Sequence, residues 1–277
     1  MFELNGDAKI TAFKDIKGRS AIIIDDFYRD PDEVRELALS LEYTEDTDRI
    51  AGFPGKRGYL DTTEVKDKLY NLFLDLCNNK LWKQKEQKTK LLEDGSFKIP
   101  LPSKIRPFNL DDFNISWTEQ AFMVNCTNDS LIVKNPLAEI PHQDYWEKDT
   151  EEEYRFQFGS VIYLNTPDEC AGGTNLYSYN GQMSIPSNKE GIQNLKDQYG
   201  FDVSLGPVLT SMSDEYKFKY VKDKVNSKNS SNPFTVEFEA EMKYNRMFLY
   251  QSDVLHKGEI DLGMFTDYDR INQVFFL

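Results

Sequence analysis

Only two histidines occur in the 277 residues, His142 and His256. His142 sits in PHQDYW, two positions before Asp144. Along a β-strand, residues i and i+2 project from the same face. The spacing therefore sets an imidazole and a carboxylate side by side, as two ligands of one metal ion require. His256 lies in QSDVLHKGE, just after an apolar run at 245–251 that reads as a strand. If that strand neighbours 140–146, His256 supplies a third ligand. Two imidazoles and one carboxylate form a facial triad that leaves open positions on one side of the metal. Such a set suits iron(II) oxygen chemistry. It also suits zinc-assisted hydrolysis. A lone His-x-Asp is equally the pattern of a surface histidine beside an aspartate.

Arg270 opens the last apolar stretch, RINQVFFL. As a strand, this stretch sends Arg270, Asn272, Val274 and Phe276 to one face, and Ile271, Gln273, Phe275 and Leu277 to the other. One face must be the core. An inward Arg270 is a buried cation that needs a partner. A dicarboxylate ligand supplies one, because a guanidinium grips a carboxylate through two parallel hydrogen bonds. The competing reading is a strand-start arginine facing solvent.

The elements that must position these residues follow from periodicity. Residues 20–28 (SAIIIDDFY) read as a buried strand. Asp30 and Pro31 open a helix over 31–42, with Val34, Leu37, Ala38 and Leu41 on its buried stripe. Residues 49–60 (RIAGFPGKRGYL) read as a loop on their glycines and proline. A second helix starts at Asp61 or Thr62, with Val65, Leu69, Leu72, Phe73 and Leu76 as its stripe. The Lys/Glu-rich 83–98 reads as a solvated face. From about 115 the chain turns to short strands, expected at 119–126, 131–135, 140–146, 154–165, 173–180, 234–242, 245–251 and 270–277. Strands following helices give an α+β protein, mainly β, whose β part is a sandwich or barrel. The strand rhythm stops between 184 and 232, which reads as an insertion. Its aromatics Tyr199, Phe201, Tyr216, Phe218 and Tyr220 suit either a lid or the insertion's own packing.

Composition bounds the partners. The net charge of −14 argues against non-specific nucleic-acid binding, which needs basic side chains to displace counterions. Cys77, Cys126 and Cys170 are odd in number and widely spaced, as expected of reduced thiols in a cytoplasm. No signal peptide or membrane-spanning run is expected.

The order His142-x-Asp144, His256, Arg270 resembles the iron(II)/2-oxoglutarate-dependent dioxygenase superfamily. FGSVIYLNTPDECAGGTNLYSYNG (158–181) resembles the strand, turn and Gly-Gly-Thr segment that follows its His-x-Asp motif. NRMFLYQSDVLHKGE (245–259) resembles the strand that delivers its distal histidine. IIIDDFYRDPDEVRELALSLEY and FPGKRGYL resemble the leading segment of a phage-type branch. The resemblance implies one domain over 1–277. A helical support region at 1–115 would precede a double-stranded β-helix (jelly roll, cupin-like) at 116–277, with the helices packed on the larger sheet. It implies that His142, Asp144 and His256 hold iron(II) as the catalytic centre. 2-Oxoglutarate would place its distal carboxylate on Arg270, with Tyr163 or Asn125 adding a hydrogen bond. A carboxylate at Asp144 favours hydroxylation over halogenation. The primary substrate would be a small molecule or peptide. The alternatives are a β-helix binding or structural module with a vestigial metal site, or a zinc hydrolase.

Overall fold

A computed structural model describes residues 2–45, 55–59, 123–134, 141–142, 158–179, 181–184, 234–251 and 254–276. These residues are mainly β, arranged as two antiparallel sheets with few helices.

The N-terminal hairpin pairs β1 (Lys9–Ile16) with β2 (Arg19–Asp25). Its two loop residues, Lys17 and Gly18, both have positive φ, at 48° and 78°. That is the turn geometry whose twist matches paired strands. After β2 the chain enters helix α1 (Pro31–Ser40). Asp30 caps α1 by accepting from the Glu33 amide, and Pro31 fills the first turn, where no backbone donor is needed.

The large sheet runs β1-β2-β9-β6-β11-β5-β4-β3. Its further strands are β3 (Thr44–Glu45), β4 (Lys56–Tyr59), β5 (Met123–Thr127), β6 (Phe158–Tyr163), β9 (Met247–Gln251) and β11 (Arg270–Phe276). The small sheet has β7 (Gly173–Tyr179) between β8 (Phe234–Glu241) and β10 (His256–Glu259). A bridge from His142 to His256 extends its β10 edge. From β5 onward the described residues visit the sheets in the order large, small (at His142), large, small, small, large, small, large.

The core between the sheets draws Ile23, Val161, Phe248 and Tyr250 from the large sheet and Leu176 and Ala240 from the small one. Ile22, Ile24, Ile162, Leu249 and Ile271 alternate to the other face of the large sheet and are buried there. On that outer face the Tyr28 hydroxyl donates to Gln273 Oε1 at 2.7 Å. Buried residues on both faces explain why these strands read as near-continuous apolar runs.

Three expectations need correction. The described part of the strand expected at 131–135 is not a strand: helix α2 (Asp129–Lys134) takes residues 131–134. Asn128 Oδ1 accepts from the Leu131 amide, and the Asp129 carboxylate accepts from the Gly263 and Phe265 amides. Local capping outweighs the β preference of Leu-Ile-Val. The expected loop at 49–60 contains strand β4, which pairs with β5. Gly58 permits the fit, since a Cβ there would lie 2.9 Å from Leu41 Cδ1. The N-terminal region is also not purely helical support. Among its described residues, β1 to β4 join the large sheet and α1 is the helix. The second expected helix, the 83–98 segment and the insertion beyond Ser184 lie outside the described residues. Among the described residues no helix is long and apolar enough to cross a membrane. Cys126 and Cys170 are free thiols there.

A candidate metal and anion site

The two histidines meet. The His142 amide donates to the His256 carbonyl at 2.9 Å, and the His256 amide returns the bond at 2.7 Å. A doubly bonded antiparallel pair sends both side chains to one face. The ring centroids lie 4.4 Å apart, tilted by 53°. His256 is buried and His142 exposed, so the pair spans from the interior to the surface. The neighbour of His142 is not the 245–251 strand, as the sequence suggested. That segment is β9, held between β2 and β6 in the large sheet. The chain crosses to the small sheet within a few residues, and His256 starts a strand of its own. Two backbone bonds fix this crossing: Leu255 donates to the Met183 carbonyl and Tyr177 donates to the Leu255 carbonyl, both at 2.8 Å.

The tautomer of His256 is set by its neighbour. Its Nδ1 lies 2.9 Å from the Val254 carbonyl. A carbonyl only accepts, so Nδ1 carries the proton and Nε2 keeps its lone pair. Burial pushes the His256 pKa down to about 4, against the opposing pull of the Val254 bond. The ring is therefore neutral at neutral pH, the form that binds a metal. A ring nitrogen anchored on a backbone carbonyl is the usual support of a metal-ligating histidine. Asp144 lies outside the described residues. Among those described, no three metal-ligating side chains cluster.

Arg270 is 4 % exposed. Its Nη1 donates to Asn272 Oδ1 at 2.7 Å, and its guanidinium carbon lies 5.6 Å from the centre of the Tyr163 ring. Its Nε is buried without a hydrogen-bond partner, and among the described residues no carboxylate bonds to it. Burial lowers its pKa, which the surrounding phenols and thiol partly oppose. The direction it faces follows from Gly258. A Cβ built on Gly258 would stand 3.9 Å from Arg270 Nη2. Gly258 is two residues beyond His256 on β10, so the two share a face. Arg270 thus reaches from the large sheet toward the small-sheet face that carries His256. The missing side chain at Gly258 leaves room before the Nε–Nη2 edge, the edge that can grip a carboxylate side-on.

Tyr163 is fully buried, and its hydroxyl donates to Thr174 Oγ1 at 2.8 Å. Burial pushes its phenol pKa up, although Arg270 and Thr174 pull the other way. Its ring forms the floor beneath Arg270. Asn125 lies on β5 directly opposite Asn272, which is itself opposite Tyr163. Register thus places Asn125, Asn272 and Tyr163 on one face; the Asn125 side chain lies outside the described residues. Thr127, opposite Arg270 on β5, is wholly buried, and its Oγ1 has no hydrogen-bond partner.

Sequence reasoning missed Gly258, Asn272, Thr127 and Thr174. The first two sit at i+2 from His256 and Arg270, so strand alternation alone could have nominated them. The Gly-Gly-Thr segment also gains a physical role. A Cβ on Gly172, whose φ is +67°, would come 1.9 Å from the Glu259 carbonyl oxygen, and one on Gly173 would come 2.1 Å from that of Ala240. Both glycines let β7 lie against its neighbours at the level of Arg270.

Residues 108–270 match the model of a family of unknown function, DUF6445. The chain belongs to that family. The matched span, more than half of the chain, contains Asn125, His142, Asp144, Tyr163 and His256 and ends on Arg270. A search of curated proteins returned no match.

Proposed function

We propose that the protein is an iron(II)- and 2-oxoglutarate-dependent dioxygenase that hydroxylates a small molecule or peptide. The observation that carries this reading is the buried Arg270 guanidinium. It has an idle Nε and no carboxylate partner among the described residues, and it faces the same interior as the histidine pair. An isolated buried cation is costly. A ligand that brings a carboxylate to Arg270 and further oxygen donors toward the histidines offsets that cost.

His142 and His256 would hold the metal together with Asp144, which lies two residues from His142. The donor set fits: two imidazoles on one face, one of them held as the neutral Nδ1–H tautomer. Iron(II) with 2-oxoglutarate and dioxygen supplies hydroxylation of a C–H bond, with succinate and carbon dioxide as co-products. The chain's own part is to bind and orient. Arg270 takes the distal carboxylate, Asn272 fixes the guanidinium, and Tyr163, braced by Thr174, supports its face. The apolar core beside them excludes water.

The order in which the chain visits the two sheets supports a jelly roll of the double-stranded β-helix kind, with β1 to β4 widening the larger sheet. Zinc hydrolysis would use the same triad but gives Arg270 no task.

The test is succinate release from 2-oxoglutarate by the purified protein with added iron(II). Succinate should form slowly without primary substrate, and Arg270→Met should abolish it. No succinate and no iron binding would favour a non-catalytic module. Activity with zinc that survives Arg270→Met would favour a hydrolase.

A further inference from the structure

Arg270 is the first residue of β11, and the ends of elements fray unless something holds them. On one side the strand start pairs with β5, where Arg270 lies opposite Thr127. On the other side its neighbour is β6, which ends at Tyr163, opposite Asn272. The Leu164 amide still donates to the Ile271 carbonyl at 3.0 Å. Beyond that bond the backbone after β6 leaves the ladder.

The Asn165 side chain takes its place. Oδ1 accepts from the Ile271 amide at 2.7 Å, and Nδ2 donates to the Asp269 carbonyl at 2.9 Å. One wholly buried side-chain amide thus makes both backbone bonds that flank Arg270, as a paired strand would. A primary amide can accept and donate at once. A carboxylate only accepts, and an aliphatic side chain does neither.

Asn165 is itself held. Glu169 Oε2 accepts from Asn165 Nδ2 at 3.4 Å and from the Thr166 amide at 3.1 Å. Arg35 on α1 reaches both Glu169 oxygens through Nη2, at 3.1 and 3.0 Å. From the β5 side, the Asp269 carboxylate accepts from Asn128 Nδ2 at 2.8 Å and from Cys126 Sγ at 2.9 Å. Both chain neighbours of Arg270 are therefore tied down, while the guanidinium keeps an idle Nε. The root of the side chain is fixed and its tip is left for a ligand.

We propose that Asn165 is a positioning residue for the cosubstrate: by clamping the backbone on either side of Arg270, it sets the guanidinium where a distal carboxylate is gripped side-on. A binding constellation tolerates displacements of only about 0.5 Å. This rests on the dioxygenase reading, which assigns the distal carboxylate to Arg270.

The test compares 2-oxoglutarate with 2-oxopentanoate, a keto acid of the same length that lacks the distal carboxylate. Calorimetry on manganese(II)-loaded protein reads both affinities, and their ratio isolates the grip of Arg270. The wild type should prefer 2-oxoglutarate. Asn165→Ala should lower that preference at least about tenfold and leave 2-oxopentanoate affinity within about threefold. Asn165→Asp keeps the shape and the Ile271 bond but cannot donate to Asp269, and should lower the preference in the same direction. An equal fall in both affinities, the mark of a general structural loss, overturns the proposal. Wild-type protein supplies an arm that survives if the variants do not fold. Without ligand, its Ile271 amide should exchange with solvent roughly a hundredfold or more slower than an unstructured amide. Exchange at the unstructured rate means that the clamp is open and overturns the proposal. Equal wild-type affinities for the two keto acids would overturn the dioxygenase reading and this proposal together. A wild-type preference that Asn165→Ala preserves overturns this proposal alone.

Discussion

Replacing Arg270 with methionine keeps most of the side chain's length and removes its charge. Two opposing effects act on the free protein. Removing a buried cation relieves a desolvation cost; by analogy with buried ion pairs replaced by apolar groups, this is worth on the order of 1–4 kcal/mol. Against this, Asn272 Oδ1 loses its 2.7 Å donor. A buried acceptor left unsatisfied costs about 1–3 kcal/mol. The two nearly cancel, and a domain of this size shifts by about 2–4 °C per kcal/mol. Arg270→Met should therefore melt within several degrees of the wild type. Ligand binding should behave differently. Truncating one partner of a buried, hydrogen-bonded charge pair costs about 2–5 kcal/mol. That weakens 2-oxoglutarate binding roughly 30-fold to several-thousand-fold. Calorimetry with manganese(II) in place of iron reads the affinity, and differential scanning calorimetry reads the stability. Two results refute the reasoning. An affinity within threefold of wild type means the guanidinium does not hold the cosubstrate. A variant that unfolds means Arg270 already has a structural anion within the chain.

Further outcomes follow from the same contacts. Gly258→Ala should leave stability nearly unchanged, because its Cβ meets only ordinary contacts at 3.5–3.9 Å; Gly258→Leu should fill the space before Arg270 and weaken 2-oxoglutarate at least about tenfold, with metal affinity retained in a parallel manganese titration. Gly173→Ala drives a Cβ into the Ala240 carbonyl and should cost about 3 kcal/mol or more, as overpacking against backbone does; a denaturant melt within 1 kcal/mol of wild type would contradict this contact. Asp25 is paired with Arg246 at 2.6 Å and with Lys243 at 3.4 Å. Burial raises its pKa, but the Arg246 and Lys243 bonds and charges outweigh it, and the net effect is a carboxyl held below its usual range. A lowered folded-state pKa stabilises above the unfolded value and is lost as pH falls through the folded value. Asp25→Asn should therefore cost about 1–3 kcal/mol at pH 7, a deficit that shrinks as the pH falls below the ordinary carboxylate range; a deficit constant with pH would show that packing, not charge, is lost.

The histidine pair was legible because the residue type is scarce. With two histidines in the chain, the sequence singled out both, and the two do form one cross-strand pair. Strand alternation left Arg270 two orientations, and its pairing in one row with the buried Thr127 and its shared face with Asn272 and the core-packed Val274 select the inward one. The strands that bury both faces, such as SAIIID and MFLYQ, announced themselves as apolar runs. What escaped was set by tertiary contacts. HKGE has no strand signal, and β10 exists because β7 templates it at Thr174 to Leu176. KRGY looked like loop, since its glycine serves packing against Leu41 and not a turn. LIVK looked like strand, but the Asn128 side chain caps a helix there and Asp129 ties it to the 263–265 loop.

The most direct test is a crystal structure of the protein with manganese(II) and 2-oxoglutarate. The account predicts one ion about 2.0–2.3 Å from His142, Asp144 and His256 Nε2. It also predicts the distal carboxylate on the Nε–Nη2 edge of Arg270. An ion bound away from the histidine pair, or a 2-oxoglutarate whose distal carboxylate leaves Arg270 untouched, would contradict it.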